Sequence, residues 1–224
     1  MKYYAVIVAG GAGNRMQTET PKQFLLLNNL PVLMHTIKAF ALSEFQPKIL
    51  LVLNEEQHSY WNKLCAEFNF NIPHTIISGG KERFHSVKNA VDTINEESVI
   101  SVHDAVRPIV SKDLIDRSFQ YAFENGNAIT AVKPIDSIRK NKDDYTEAVN
   151  REDFFMVQTP QVFKSDIIKN AYNLPFDNNF TDDASVVEQS GIKINLIEGE
   201  RNNIKITYPA DLEIAEWFLN KNAL

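Results

Sequence analysis

A single cysteine, Cys65, stands in 224 residues. One thiol builds neither an internal disulfide framework nor a cysteine-rich metal site, and it suits a reducing compartment; its expected role is packing. Long hydrophobic runs are also missing. No stretch approaches the roughly 20 apolar residues of a membrane span, and residues 1–9 reach a glycine loop too soon for a secretory leader, so a cytoplasmic chain with no membrane partner is expected. Charge of one sign is nowhere concentrated: the formal net charge is −6 without a block of like charges, which argues against a general nucleic-acid binder resting on clustered Lys and Arg. Any anionic ligand must therefore be met by local cations. The G-x-x-x-x-G-K-[ST] loop is absent. So is a G-x-G-x-x-G fingerprint followed by a helix and a ribose-binding acid, which argues against a nicotinamide dehydrogenase. Neither a Ser-His-Asp nor a Cys-His arrangement stands out, and there is no internal repeat or low-complexity tract.

What is present is a 44% hydrophobic chain, long enough to bury the core of one large α/β domain over residues 1–224. Short β-branched runs read as strands at Tyr3–Ala9, Ile49–Leu53, His74–Ser78, Val99–His103, Ala128–Val132 and Ile192–Ile197. Amphipathic stretches between and after them read as helices at Val32–Leu42, Glu55–Phe68, Arg83–Ile94, Lys112–Glu124, Ser165–Leu174, Asp183–Ser190 and Pro209–Asn220. Nearly continuous apolar strands alternating with helices predict a mainly parallel twisted sheet flanked by helices on both faces. Ligands of such sheets lie beyond the carboxyl ends of the strands, where Gly10, Gly79-Gly80 and Asp104 fall. One polar segment, Pro134–Asp153, breaks the alternation: "DSIRK" and "TEAVNR" flank a turn-like "NKDD" and predict a projecting β-hairpin. A two-stranded hairpin alone in water is marginal, so it is expected to rest on a second copy of the chain as a dimerisation arm.

The loop "VIVAGGAGNRMQTETPKQF", Val6–Phe24, turns from apolar to glycine-rich and then basic. Glycines after a strand let backbone N–H groups approach an anion, and Arg15 and Lys22 supply the charge a phosphate chain requires. An ordinary strand-to-helix loop with solvated charges is the alternative. Asp104, in "VHDAVRP", can face a ligand or a divalent cation, or serve as a helix cap or partner of Arg107; His103 beside it reads as a packed core histidine. Gly79-Gly80 either frames a pocket, with the Ser86 hydroxyl on the ligand side, or is a plain turn. Arg151, Lys205 and Thr181 say nothing individually.

Together these segments are more specific. "AGGAGNRM" with "PKQF", "SGGKERFHSV", "VHDAVRP", "VNRED", "VQTPQVF", "TDDASVVE" and "EGERNNIKIT" follow one another in the order found in the 2-C-methyl-D-erythritol 4-phosphate cytidylyltransferases, and the chain resembles that family over nearly its whole length. The resemblance implies a Rossmann-like domain of the nucleotide-diphospho-sugar transferase type, CTP and a polyol phosphate as substrates, Mg²⁺ or another divalent cation, and a homodimer with shared sites. It implies Arg15 and Lys22 as catalytic cations, and a nucleotide site from Ala9, Gly10, Gly11, Gly13, Gly80, Arg83, Ser86 and Asp104, with Asp104 also on the metal. Arg151, Lys205, Arg107, Ser137 and Thr181 would position the polyol phosphate. Three positions depart from relatives: Gly11-Ala12-Gly13-Asn14 lacks a second basic residue, Lys81 replaces an acid, and Ser137 stands where a threonine is expected but keeps the hydroxyl. A ribitol-5-phosphate cytidylyltransferase is the nearest alternative, and a nucleotide-binding protein that has lost the chemistry is a third reading.

Overall fold

The structure, a computed structural model, describes residues 1–9, 16 and 20–222. In chain order its elements are β1 (Lys2–Val8), β2 (Leu26–Leu27), β3 (Leu30–Pro31), α1 (Val32–Ala41), β4 (Lys48–Leu53), α2 (His58–Glu67), β5 (Thr75–Ser78), α3 (Arg83–Asp92), β6 (Ser98–Asp104), α4 (Lys112–Asn125) and β7 (Asn127–Val132). There follow β8 (Ile138–Asn141), β9 (Thr146–Val149), β10 (Met156–Lys164), α5 (Ser165–Ala171), α6 (Asp183–Gln189), β11 (Leu196–Glu198) and α7 (Pro209–Asn222). Among the described residues, seven strands form one sheet in the order β11-β7-β10-β6-β1-β4-β5. Every strand is parallel to the others except β10, which runs against both of its neighbours, β6 and β7.

Alternation along the strands explains why the sheet is covered twice. Ala5 and Ile7 of β1 and Ile49, Leu51 and Leu53 of β4 enter a core shared with α1, α2 and α4. Their neighbours Tyr4, Val6, Leu50 and Val52 enter a second core with α3, α5 and α6 on the opposite face. With both faces apolar, each side chain fully buried contributes about 1.5–3 kcal/mol, which is why these runs read as continuous hydrophobic strings. Ends of elements are set by local chemistry. Ser111 Oγ accepts the Leu114 N–H at 3.0 Å to open α4, and Gly126, at φ 93°, closes it in a backbone region that disfavours other residues. A smaller third cluster, including Leu27, Val106, Ile206 and Ala215, seats α7 against the edge of the ligand-facing end.

Two strands of the main sheet differ from expectation by more than a residue. β10 reads poorly because Pro160 and three polar residues, Gln158, Thr159 and Gln161, interrupt its apolar run; proline in particular argues against a central strand. The structure accommodates them with a register shift between Val157 and Gln161, and buries all three polar side chains. β11 begins at Leu196, not Ile192. The Asn127 side chain donates to Lys193 O and accepts from Asn195 N–H, so side-chain bonds replace the ladder over this stretch. In segment 134–153, β8 and β9 pair antiparallel, Ile138 opposite Val149, in a two-stranded sheet separate from the main one. Arg139 donates to the Thr146 hydroxyl and carbonyl across the pair. Among the described residues no helix is long and apolar enough to cross a membrane.

Candidate active site

The site grows from the end of the most buried strand. Every residue of β6 is buried, and its last residue, Asp104, stands opposite Val8 of β1 and faces out of the sheet's carboxyl end. Thr159 Oγ1 of β10 accepts the Asp104 N–H at 3.1 Å. Among the described residues, three cations surround the carboxylate: Lys205 Nζ is 2.9 Å and Arg107 Nε 3.3 Å from Oδ2, and Arg83 Nε is 3.8 Å from Oδ1. Burial alone would push this carboxyl up, but Arg83, Lys205 and Arg107 outweigh it and hold Asp104 well below the usual carboxylate range. Asp104 is therefore an anion throughout the physiological range. His103 next to it is fully buried, packs edge-on against Phe40, and lies 3.2 Å from the Arg107 carbonyl. Burial pushes its imidazole down to about 4, so it is a neutral core histidine.

Residues far apart in sequence are tied to this point by backbone contacts. Arg107 Nη1 donates to Asn203 O and Asn203 Nδ2 to Thr159 O, both at 2.8 Å. The Gln158 amide grips Glu200 both ways, donating to its carbonyl and accepting its N–H. These bonds fold the segment 199–207 over β10 and deliver Lys205. From the other side, Lys22 is buried in a short 3-10 turn and donates to Ile206 O at 3.1 Å, while Gln23 donates to Ala9 O at 3.1 Å, fastening "PKQF" to the end of β1. The result is a cleft of about 280 Å³ lined by Arg83, Asp104, Arg107, Gln158, Thr159, Gln161, Thr181 and Lys205, among others. Its lining sets three cations, Arg83, Arg107 and Lys205, against two acids, Asp104 and Asp182. Cations gathered at the carboxyl end of a parallel sheet, around one carboxylate, suit a phosphorylated ligand.

The match to known proteins is as extensive as the motifs. The family model described as 2-C-methyl-D-erythritol 4-phosphate cytidylyltransferase matches residues 3–221. The chain belongs to that family. The enzyme so named in Azobacteroides pseudotrichonymphae is 48% identical over 214 residues, covering 95% of this chain and 96% of its own. The Bacteroides fragilis enzyme is 46% identical, covering 96% and 98%. A crystal structure of the 4-diphosphocytidyl-2C-methyl-D-erythritol synthase of Anaerococcus prevotii superposes with a TM-score of 0.83 at 26% identity, covering 98% of this chain and 96% of that one.

Of the residues singled out from the sequence of this cytidylyltransferase-family chain, Arg83, Asp104, Arg107, Thr181 and Lys205 meet in the cleft. Ala9 is buried with its carbonyl taken by Gln23. Gly10, Gly11, Gly13 and Arg15 lie outside the described residues. Ser86 is buried, and its Oγ accepts the Gly80 N–H at 3.0 Å, tying α3 to the Gly79-Gly80 turn. A Cβ at Gly80 would stand 2.4 Å from that of His85, which accounts for glycine there. Arg151 and Ser137 lie on the hairpin segment and do not line the cleft; Arg151 is exposed and donates to Ile135 O at 2.6 Å. Thr159 and Gln161 line the cleft without having drawn notice as individual residues, because a buried polar residue in a strand carries no sequence mark of the direction it faces. Asp183 also went unnoticed; the pair Asp182-Asp183 ahead of an apolar run signals only a helix cap, a role Asp182 fills by accepting the Ser185 N–H.

Proposed function

We propose that this chain transfers CMP from CTP to 2-C-methyl-D-erythritol 4-phosphate, giving 4-diphosphocytidyl-2-C-methyl-D-erythritol and pyrophosphate, a step of non-mevalonate isoprenoid precursor synthesis. The observation that carries the reading is the convergence of Arg83, Arg107 and Lys205 on Asp104 in a chain of this family. Both substrates are water-soluble phosphates, and we take the reaction to run in the cytoplasm. A polyol phosphate is already an anion at neutral pH, so it needs no protein base. One of its oxygens attacks the α-phosphorus of CTP in line; the new O–P bond forms as the bond to the β-phosphate oxygen breaks, pyrophosphate carries the charge away, and no covalent enzyme intermediate arises.

Catalysis of such a transfer is positioning plus charge stabilisation. Lys22, held beside Lys205 through the carbonyl of Ile206, would meet charge growing on the α-phosphate and the leaving group together with Arg15. Arg107, Lys205 and Thr181 would aim the attacking phosphate, and Arg83 with the Gly79-Gly80 turn would hold the nucleoside. Asp104 would be the residue to hold Mg²⁺: the carboxylate is ionised, Lys205 and Arg107 contact Oδ2, and Arg83 Nε stands 3.8 Å from Oδ1. One carboxylate oxygen suffices when phosphates and waters complete the shell, and the ion when bound would neutralise triphosphate charge.

Arg151 and Ser137 enter through a second copy. The hairpin lies in its own sheet, with Ile135, Phe154 and Phe155 exposed around its base. These support an arm that docks on a partner and carries Arg151 to the partner's cleft. The deciding experiment is pyrophosphate release from CTP and Mg²⁺ with methylerythritol phosphate or ribitol 5-phosphate as acceptor. Turnover with methylerythritol phosphate is expected; turnover with ribitol phosphate alone would overturn the assignment.

A further inference from the structure

Asp183 is fully buried and has no part in the mechanism above. Its two oxygens accept parallel bonds from the Arg83 guanidinium, Nη1 at 2.8 Å and Nη2 at 2.5 Å, and Oδ1 accepts a third from the Tyr172 hydroxyl at 2.6 Å. Tyr172 is buried at the end of α5 and stacks on Phe84 of α3, so the donor is fixed from behind. A buried ion pair is weak evidence for stability, because well-packed hydrophobic residues commonly serve stability as well. A reason for its presence is found at the cleft, where Arg83 emerges and Asp183 does not.

Arg83 stands between two carboxylates. Its terminal nitrogens are committed to Asp183, and its closest approach to Asp104 is through Nε, at 3.8 Å from Oδ1. The planar fork of a guanidinium favours two-point contact with a carboxylate. Deprived of Asp183, that fork would be drawn to Asp104, the other acid beside it, and would close over Oδ1, the oxygen it already faces, while Lys205 and Arg107 hold Oδ2. We propose that Asp183 is a positioning residue: by occupying both terminal nitrogens of Arg83 it fixes the guanidinium in the cleft wall for the nucleotide and prevents it from closing over Asp104, with Tyr172 fixing Asp183 in turn. The naming of the nucleotide as CTP rests on the cytidylyltransferase reading.

The test is calorimetric titration of the full chain with CTP alone, alongside thermal melting. Asp183→Asn preserves shape and removes the charge; it should weaken CTP binding about tenfold or more, the scale of a lost charge-assisted hydrogen bond, and Tyr172→Phe about two- to fivefold. Because Asp183 acts through Arg83, Arg83→Gln combined with Asp183→Asn should bind no more weakly than Arg83→Gln by itself. A merely structural Asp183 would lower the melting temperature while leaving the affinity of the folded protein within twofold of wild type, and that result overturns the proposal. If Asp183→Asn does not fold, Tyr172→Phe decides by the same criterion. Wild-type protein that binds ATP or UTP but not CTP sinks the cytidylyl reading alone, and the variants are then scored with that nucleotide.

Discussion

Replacing Asp104 with asparagine tests the centre of the site directly. The side chain keeps its size but loses the charge on which Lys205, Arg107 and Arg83 converge. These partners are affected unequally. Arg83 retains Asp183, and Lys205 is 41% exposed, so water can take over much of its solvation; Arg107 is nearly buried and, among the described residues, keeps the Asn203 carbonyl. Breaking a buried pair costs about 3–5 kcal/mol, and the exposure of Lys205 argues for the lower end, about 3 kcal/mol. For a chain of this size that is a fall of roughly 6–12 °C in melting temperature at neutral pH. Because the folded Asp104 carboxyl lies well below its ordinary range, its contribution is fully present above the unfolded value and is lost only as pH falls through the folded one. The gap between variant and wild type should thus stay flat from about pH 8 to pH 5. Pyrophosphate should raise the melting temperature of Asp104→Asn more than that of wild type, since the cations are then unopposed. A variant that melts at or above the wild-type temperature in phosphate-free buffer would refute the reasoning, for the carboxylate would then not be the counter-charge of the cluster.

Other consequences are equally open to measurement. His103, buried and neutral with its imidazole held down to about 4, binds a proton in the unfolded chain before the folded one; stability should fall on the order of 3 kcal/mol as pH drops from about 6.5 to 4. A His103→Gln variant whose melting temperature declines as steeply over that range would contradict this. Gly80→Ala places a Cβ against the side chain of His85 and should cost about 1–3 kcal/mol in a thermal melt, with weakened CTP binding; unchanged binding would detach the Gly79-Gly80 turn from the nucleotide. Lys22→Ala should lower turnover about 10²- to 10³-fold, by analogy with loss of an oxyanion donor. When Lys22→Ala and Arg151→Ala chains are isolated as heterodimers, one intact site should form and activity should reappear, whereas its absence would argue against sites shared across the dimer.

Much of the fold could be read because the strands coincide with apolar runs. β1, β4 and β6 lie within one residue of their expected bounds, since strands buried on both faces leave little room for polar interruption. β10 escaped notice for the converse reason: it carries the polar wall of the cleft, so its residues answer to the ligand side as well as to the core. At the site, Asp104 was legible as an acid ending an apolar strand. Its companions were not, because Lys205 and Thr181 acquire meaning only when the chain returns over the sheet, and nothing local distinguishes them from solvated surface. Asp183 was least legible of all. Its partner Arg83 lies a hundred residues earlier, and the bond between them exists only in the packed structure.

The position of the hairpin carries a consequence for how such a chain can change. β7 ends at Val132 and β10 begins at Met156, and these two residues are paired neighbours in the sheet. The segment between them leaves and re-enters through one doorway, so its length has no bearing on how the sheet is threaded. It can be lengthened, trimmed or exchanged as a cassette while the strands and the cleft are left in place. Whatever surface this segment presents can therefore be rewritten separately from the scaffold that carries the cleft.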